Sequence, residues 1–144
     1  MSTTGLPVFD ETLHLTNSWL KDLMERLHTD DRHYAYRALR AVLHAIRDEL
    51  QPELAAHLAA QLPLLVRGFY YEGWQPARTP SRDRSLEDFF QAIRTGMHGD
   101  PEPDVARLSG AVFDLLMARL SYGELEKVVR ALPRDIRELS GIRA

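Results

Sequence analysis

Apolar residues recur at spacings of three, four and seven along almost the whole chain, and nowhere do they alternate as a strand would. Each such stripe marks one face of an amphipathic helix that must be buried. Leu13, Leu20, Leu23 and Leu27 form the first, with Asp10 as the expected helix start and His28 near its end. Asp30 or Asp31 can cap a second helix carrying Ala35, Ala38, Leu39, Val42, Ile46 and Leu50. Pro52 suits the first turn of a third, with Leu54, Ala55, Leu58, Ala59 and Leu62. Pro63 ends that helix, because it disfavours helical geometry at Leu62, and a short fourth runs from Leu64 to about Tyr70.

The pattern stops over EGWQPARTPSRDR, Glu72 to Arg84, which reads as a connector. It resumes at Ser85, which with Asp88 resembles a capping box, and Leu86, Phe89, Phe90, Ile93 and Met97 follow. Gly99 fits a stop and Asp100 the next cap, ahead of Val105, Leu108, Val112, Leu116 and Leu120. Ser121 and Glu124 make a full capping-box signature before Leu125, Val128, Val129 and Leu132. Pro133 breaks the chain again, and Ile136 with Leu139 suggests a last short helix.

A shift of 70 residues lays 10–73 on 80–143 without a gap. His28 falls on His98, Asp30 on Asp100, Arg37 on Arg107, and Leu62-Pro63 on Leu132-Pro133. The apolar positions superpose more fully: Trp19 on Phe89, Leu23 on Ile93, Leu43 on Phe113 and Val66 on Ile136 among them. The fold expected is therefore all-α. Two tandem, related four-helix units, 1–74 and 85–144, would be joined by a connector at 75–84 and packed into one helical bundle-like domain. A unit of that size buries too little surface to stand well alone, so the two should pack face to face.

The same residues carry a resemblance. The run from Arg37 to Pro76, with RAVLHAIRDEL, the AAQLP break and RGFYYEGW, resembles the bacterial domain-of-unknown-function 2267 family. The family is uncharacterised. The resemblance implies an all-helical bacterial cytosolic domain and carries over no catalytic or binding residue.

For function the sequence offers few signals. The 144 residues contain no cysteine, which removes thiolate chemistry and disulfides. The formal charge is −3, which gives no general attraction to polyanions. No segment has the roughly 20 apolar residues of a membrane span, and MSTTGLPVFDETLHL lacks a secretory pattern, so the expected location is the cytoplasm, with no membrane partner. There is no HExxH pair, GxSxG elbow or glycine-rich phosphate loop, so no catalytic residue, cofactor site or metal set is assigned. His28, Asp30, His98 and Asp100 could form a two-fold metal or acid–base site, but helix ends and caps account for them more simply.

The unusual feature is the aromatic run Phe69, Tyr70, Tyr71 and Trp74. It could close the end of a bundle, or serve as a platform for a peptide, a ligand or a second copy of the chain. The second half lacks it, having Leu139, Ser140, Gly141 and Ala144 at the matching positions, which favours a functional role. Arg78, Arg82 and Arg84 follow closely and could bind an acidic partner. The leading expectation is a non-enzymatic interaction or scaffold module that binds a protein partner or a second copy of itself through Phe69, Tyr70, Tyr71, Trp74 and Arg78. The alternative is a small-molecule binder or enzyme with its pocket between the two halves. Nucleic-acid binding ranks third: Arg32, Arg37, Arg40 and Arg47 share one helix, but Asp48 and Glu49 dilute their face.

Overall fold

A computed structural model describes residues 2–142, and Ala144, the expected counterpart of Trp74, lies outside them. The described residues form eight α-helices and two 3-10 turns, with no strand among them. The helices are α1 Pro7–Leu27, α2 Arg32–Asp48, α3 Pro52–Ala60, α4 Leu64–Tyr71, α5 Leu86–Gly96, α6 Val105–Arg119, α7 Tyr122–Arg130 and α8 Arg134–Arg137. The turns are Pro76–Arg78 in the connector and Glu138–Ser140 after α8.

Most boundaries follow local chemistry. Asp31 caps α2 by accepting from the Tyr34 N–H at 3.0 Å. Ser85 caps α5 as expected, accepting from the Asp88 N–H at 3.0 Å, while Asp88 Oδ2 accepts from the Ser85 hydroxyl at 2.6 Å rather than from the Ser85 N–H of a full capping box. Pro63 and Pro133 are the N-caps of α4 and α8, at nearly identical φ,ψ of −55,149 and −53,148.

Three expected boundaries are corrected. α1 begins at Pro7, whose missing N–H costs nothing in a first turn, rather than at Asp10. The Asp10 carboxylate instead accepts from the Thr4 N–H and hydroxyl and from Ser2, tying the preceding segment to the helix. α6 is capped by Asp104, not Asp100, because Pro103 holds Glu102 out of helical geometry. Ser121 does cap α7 by position, but its hydroxyl makes no cap bond, and Glu124 reaches His57 of α3 instead. His57 Nε2 and Glu124 Oε2 are both buried, each with no partner but the other.

The core draws on both halves. α2 packs on α5, α1 on α6, α2 on α6 and α3 on α7. Burial follows the 70-residue offset: Leu23 and Ile93, Val42 and Val112, Leu43 and Phe113, Leu58 and Val128, and Val66 and Ile136 are each fully or almost fully enclosed. Helix ends are held across the same boundary. Arg37 Nη2 donates to Met97 O at 3.3 Å and His98 O at 3.1 Å, at the end of α5. Arg107 Nη2 donates to Leu27 O at 2.8 Å, at the end of α1. A cation there satisfies orphan carbonyls and opposes the negative end of the helix dipole.

Glu49, at the end of α2, is buried. Its carboxylate faces Arg84 Nε at 3.4 Å, while Arg84 Nη2 donates to Glu49 O at 3.1 Å and Ala131 O at 3.3 Å. The connector is thereby pinned to both halves, and Arg84 is not free for a partner. Burial pushes the Glu49 carboxyl up to about 7, with Asp48 and Asp88 adding to the effect and Arg84 opposing it. The folded protein then holds this proton more tightly than the unfolded chain does. Its contribution to stability is intact below the ordinary glutamate value and is lost as pH rises through about 7. Between pH 5 and 8 the native chain should lose about 2 kcal/mol that Glu49→Gln does not lose. Parallel urea titrations of both proteins check this, and equal pH slopes would exclude it.

Candidate functional site

The expected contact residues divide once placed. Tyr70 is fully buried, and its hydroxyl donates to Ala55 O at 2.8 Å, so it cannot touch a partner. Burial raises that phenol well above its usual range. Tyr71 and Trp74 are half-buried, packed on the core with ring centroids 5.2 Å apart. Arg78 is exposed in the connector. Phe69 is largely buried, but its remaining surface lines an open groove.

The groove is built by three helices of the first half. α4 lies against α1, with the Leu65 N–H donating to Thr12 Oγ1 at 3.0 Å, so α1 satisfies an amide that α4 leaves unpaired. Phe69 meets Tyr36 of α2 edge-to-face, with centroids 5.2 Å apart at 82°. His44 Nε2–H donates to Phe69 O at 2.6 Å. Burial, above all, holds His44 below the ordinary histidine range, which favours this neutral donor. Behind them Arg47 is buried and donates through Nη1 to Tyr70 O at 2.7 Å and Glu72 O at 2.8 Å. Its Nε and Nη2 grip Asp48 at 2.8 and 3.2 Å. The end of α4 is therefore fixed from within.

Between these helices the groove has a volume of about 520 Å³. Leu13, Leu20, Leu65, Tyr36 and Phe69 supply its apolar lining, and Thr16, Asn17 and Glu72 its polar atoms. The Thr16 hydroxyl is buried and has no hydrogen-bond partner. A second concavity, lined by Pro7 and Asp10, continues along α1 and shares Leu13 and Asn17 with the first. Of the apolar side chains in their walls, Leu65 is 42% and Leu13 38% exposed. Two large apolar side chains exposed on facing helices, over an apolar floor, form a patch rather than isolated surface residues.

Leu13 and Phe69 were thus legible as helix residues, but the groove was not. It arises where α4 stops short of covering α1, which only the tertiary arrangement reveals.

A second cleft of about 470 Å³, which shares Tyr36 and Glu72 with the groove, lies between the halves at the junction of α2 and the end of α5, lined also by His33, Arg37, Arg40 and His98. Its cations are engaged: Arg37 with the α5 carbonyls and Arg40 Nε with Glu72 Oε1 at 3.2 Å. His28, Asp30, His98 and Asp100 do not come together. No group of three or more His, Asp or Glu that could hold a metal exists among the described residues. The expected basic face on α2 dissolves as well, since Arg47 is buried and Arg32 is bonded to Asn17 at 3.1 Å. No helix among the described residues is long and apolar enough to cross a membrane.

Among curated proteins none matches the chain. The profile of the family described as "Uncharacterized conserved protein (DUF2267)" matches residues 16–139, which include all of α2 through α8 and most of the groove. By that match, over most of its length, the chain belongs to the DUF2267 family.

Proposed function

We propose that this protein is a non-enzymatic interaction module of the bacterial cytosol, and that the groove on α1, α2 and α4 is its contact surface. The reading rests on Leu13 and Leu65, exposed apolar side chains that line a groove whose back wall is held by Arg47 and His44. From Pro7 to Leu20 the two concavities run about 20 Å along α1, enough for an amphipathic helix of about three turns. Asp10 borders this path and Glu72, paired with Arg40, closes its other end, so the proposed occupant is a helix with apolar anchors and a basic flank toward Asp10. A donor or acceptor that reaches Thr16 would also relieve its unpaired hydroxyl.

Leu65→Glu should leave the helical circular dichroism unchanged and alter stability by less than about 1 kcal/mol, because the position is exposed. It should weaken partner retention at least tenfold. Light scattering separates the two kinds of occupant: a dimer that Leu65→Glu dissolves makes the partner a second copy of this chain. Retention unaffected by the substitution would sink the proposal.

We also infer that the two halves, 1–74 and 85–144, descend from one duplicated unit joined by 75–84. Supporting this are the burial matched at the 70-residue offset and the reciprocal bonds of Arg37 to the end of α5 and Arg107 to the end of α1. α3 and α7 also span positions 70 apart, Pro52–Ala60 and Tyr122–Arg130. An experimental structure in which 10–73 does not superimpose on 80–143 would contradict it. Within this scheme only the first unit carries the aromatic run, which fits a working surface on one side alone.

A further inference from the structure

The connector holds a second feature, whose lining shares no residue with the α1–α4 groove. A pocket of about 250 Å³ is lined by Gly73, Gln75, Arg78, Thr79, Ser81 and Arg82, with Asp48 as the one acid in its wall. Both oxygens of Asp48 are already gripped by the buried Arg47, so its charge is met from inside the protein. Arg78 and Arg82 have no carboxylate partner among the described residues. The pair also lines an adjoining concavity of about 420 Å³, together with Ala77 and Pro80. The arginines of the cleft between the halves, by contrast, are engaged, Arg37 with carbonyls and Arg40 with an acid. Here two planar, permanently charged side chains line one small space, and the one acid in its wall is already paired.

The segment carrying them is held in place. Ser81 N–H donates to Asp48 O at 2.8 Å, Arg78 N–H to Gln75 O at 2.9 Å and Thr79 N–H to Pro76 O at 3.1 Å. The Thr79 hydroxyl donates to Pro76 O at 2.9 Å. Such anchoring fixes the backbone that carries the cations before any ligand arrives, which lowers the cost of binding.

We propose that this pocket binds a phosphate dianion through Arg78 and Arg82, with Gln75 as a further donor. Arginine forks match phosphate oxygens in pairs and make short, charge-assisted bonds. The volume falls below the roughly 300–1,000 Å³ of sites that enclose a drug-sized ligand, so it suits a headgroup. The adjoining concavity with Ala77 and Pro80 would receive a small organic body. The shared chemistry is that of a small phosphate monoester or of free phosphate.

The test is a titration of the isotope-labelled full chain at pH 7.5 and constant ionic strength, following backbone amide shifts. The probes are phenyl phosphate, inorganic phosphate and, as a monoanion of similar shape, phenyl sulfate. Phenyl phosphate should give saturable shifts at Gly73, Gln75, Thr79 and Ser81, with phenyl sulfate at least tenfold weaker. Tighter binding of phenyl phosphate than of inorganic phosphate assigns the site to an ester, and equal binding assigns it to free phosphate. Arg78→Gln should weaken binding about 10- to 100-fold, the range for loss of a hydrogen bond to a charged group. The double variant Arg78→Gln/Arg82→Gln should abolish saturation, while Arg134→Gln, far out on α8, should change nothing. All three positions are exposed, so the variants should keep the native helical spectrum. Shifts that fail to saturate, or that persist in the double variant, would overturn the proposal.

Discussion

Arg47→Ala should destabilise the protein by about 3–5 kcal/mol, the range for breaking a buried charged network by removing one member. Arg47 is one of the few charged side chains in the core, and it serves four acceptors: Tyr70 O, Glu72 O and both Asp48 oxygens. Asp48 is partly exposed and can turn to water when released. The Tyr70 carbonyl has no such recourse, because Tyr70 is enclosed. The cost therefore falls on the end of α4 and on the groove wall. Arg47→Met keeps most of the apolar stem and should still lose about 3 kcal/mol, which separates the hydrogen bonds from the packing. Chemical denaturation of the two variants measures both. A loss below 1 kcal/mol for Arg47→Ala would show that the carbonyls find other partners.

Gly96 gives the second large effect, and here two principles predict opposite signs. Replacing glycine by alanine in a helix usually stabilises it, by up to about 1 kcal/mol. At Gly96, however, a Cβ would meet Ala41 Cβ at 2.8 Å and Ala41 Cα at 3.3 Å, on the facing surface of α2. Neither atom belongs to a flexible side-chain end, so α2 and α5 would have to separate. Gly96 is also the last residue of α5, where the propensity gain is small. Packing should win: Gly96→Ala is expected to cost about 1–3 kcal/mol and Gly96→Val at least as much. A shift of the thermal midpoint upward in Gly96→Ala would show that the helices part easily.

These two residues also mark what the sequence could and could not convey. The stripes, the Ser85 cap and the two Leu-Pro breaks were readable because each rests on a local rule. Arg47 looked like part of a basic face, seven residues from Arg40. Yet it stands four residues after Leu43 and one after Ile46, where the end of α2 is enclosed on nearly all sides. That enclosure is made by α4, far away in the chain, and no local pattern announces it. Gly96 carries no signal in the sequence, where Gly99 is the residue that reads as the helix stop, and only the approach of α2 gives it a packing role. Asp100 was mistaken for a cap although Pro103 already barred Glu102 from the helix, a signal that was present in the sequence. Glu124 was expected to close a capping box, but His57 on α3 outbid the local partner.

The site followed the same division. Its aromatic ingredients stood out, and the structure then sorted them by depth. Tyr70 became core, Phe69 became the edge of a groove, and Leu65 and Leu13, ordinary stripe residues by sequence, became its exposed walls. The connector arginines likewise separated into Arg84, which ties the halves together, and Arg78 with Arg82, which do not.

The account stands or falls on whether that groove is a working surface. The direct measurement is paired capture from native cell extract with wild type and a folded Leu13→Glu/Leu65→Glu variant, followed by hydrogen exchange on the wild-type complex. The account predicts at least one protein retained more than tenfold better by wild type, with slowed exchange confined to α1 and α4. Identical retention by the two chains, or protection limited to the second half, would contradict it.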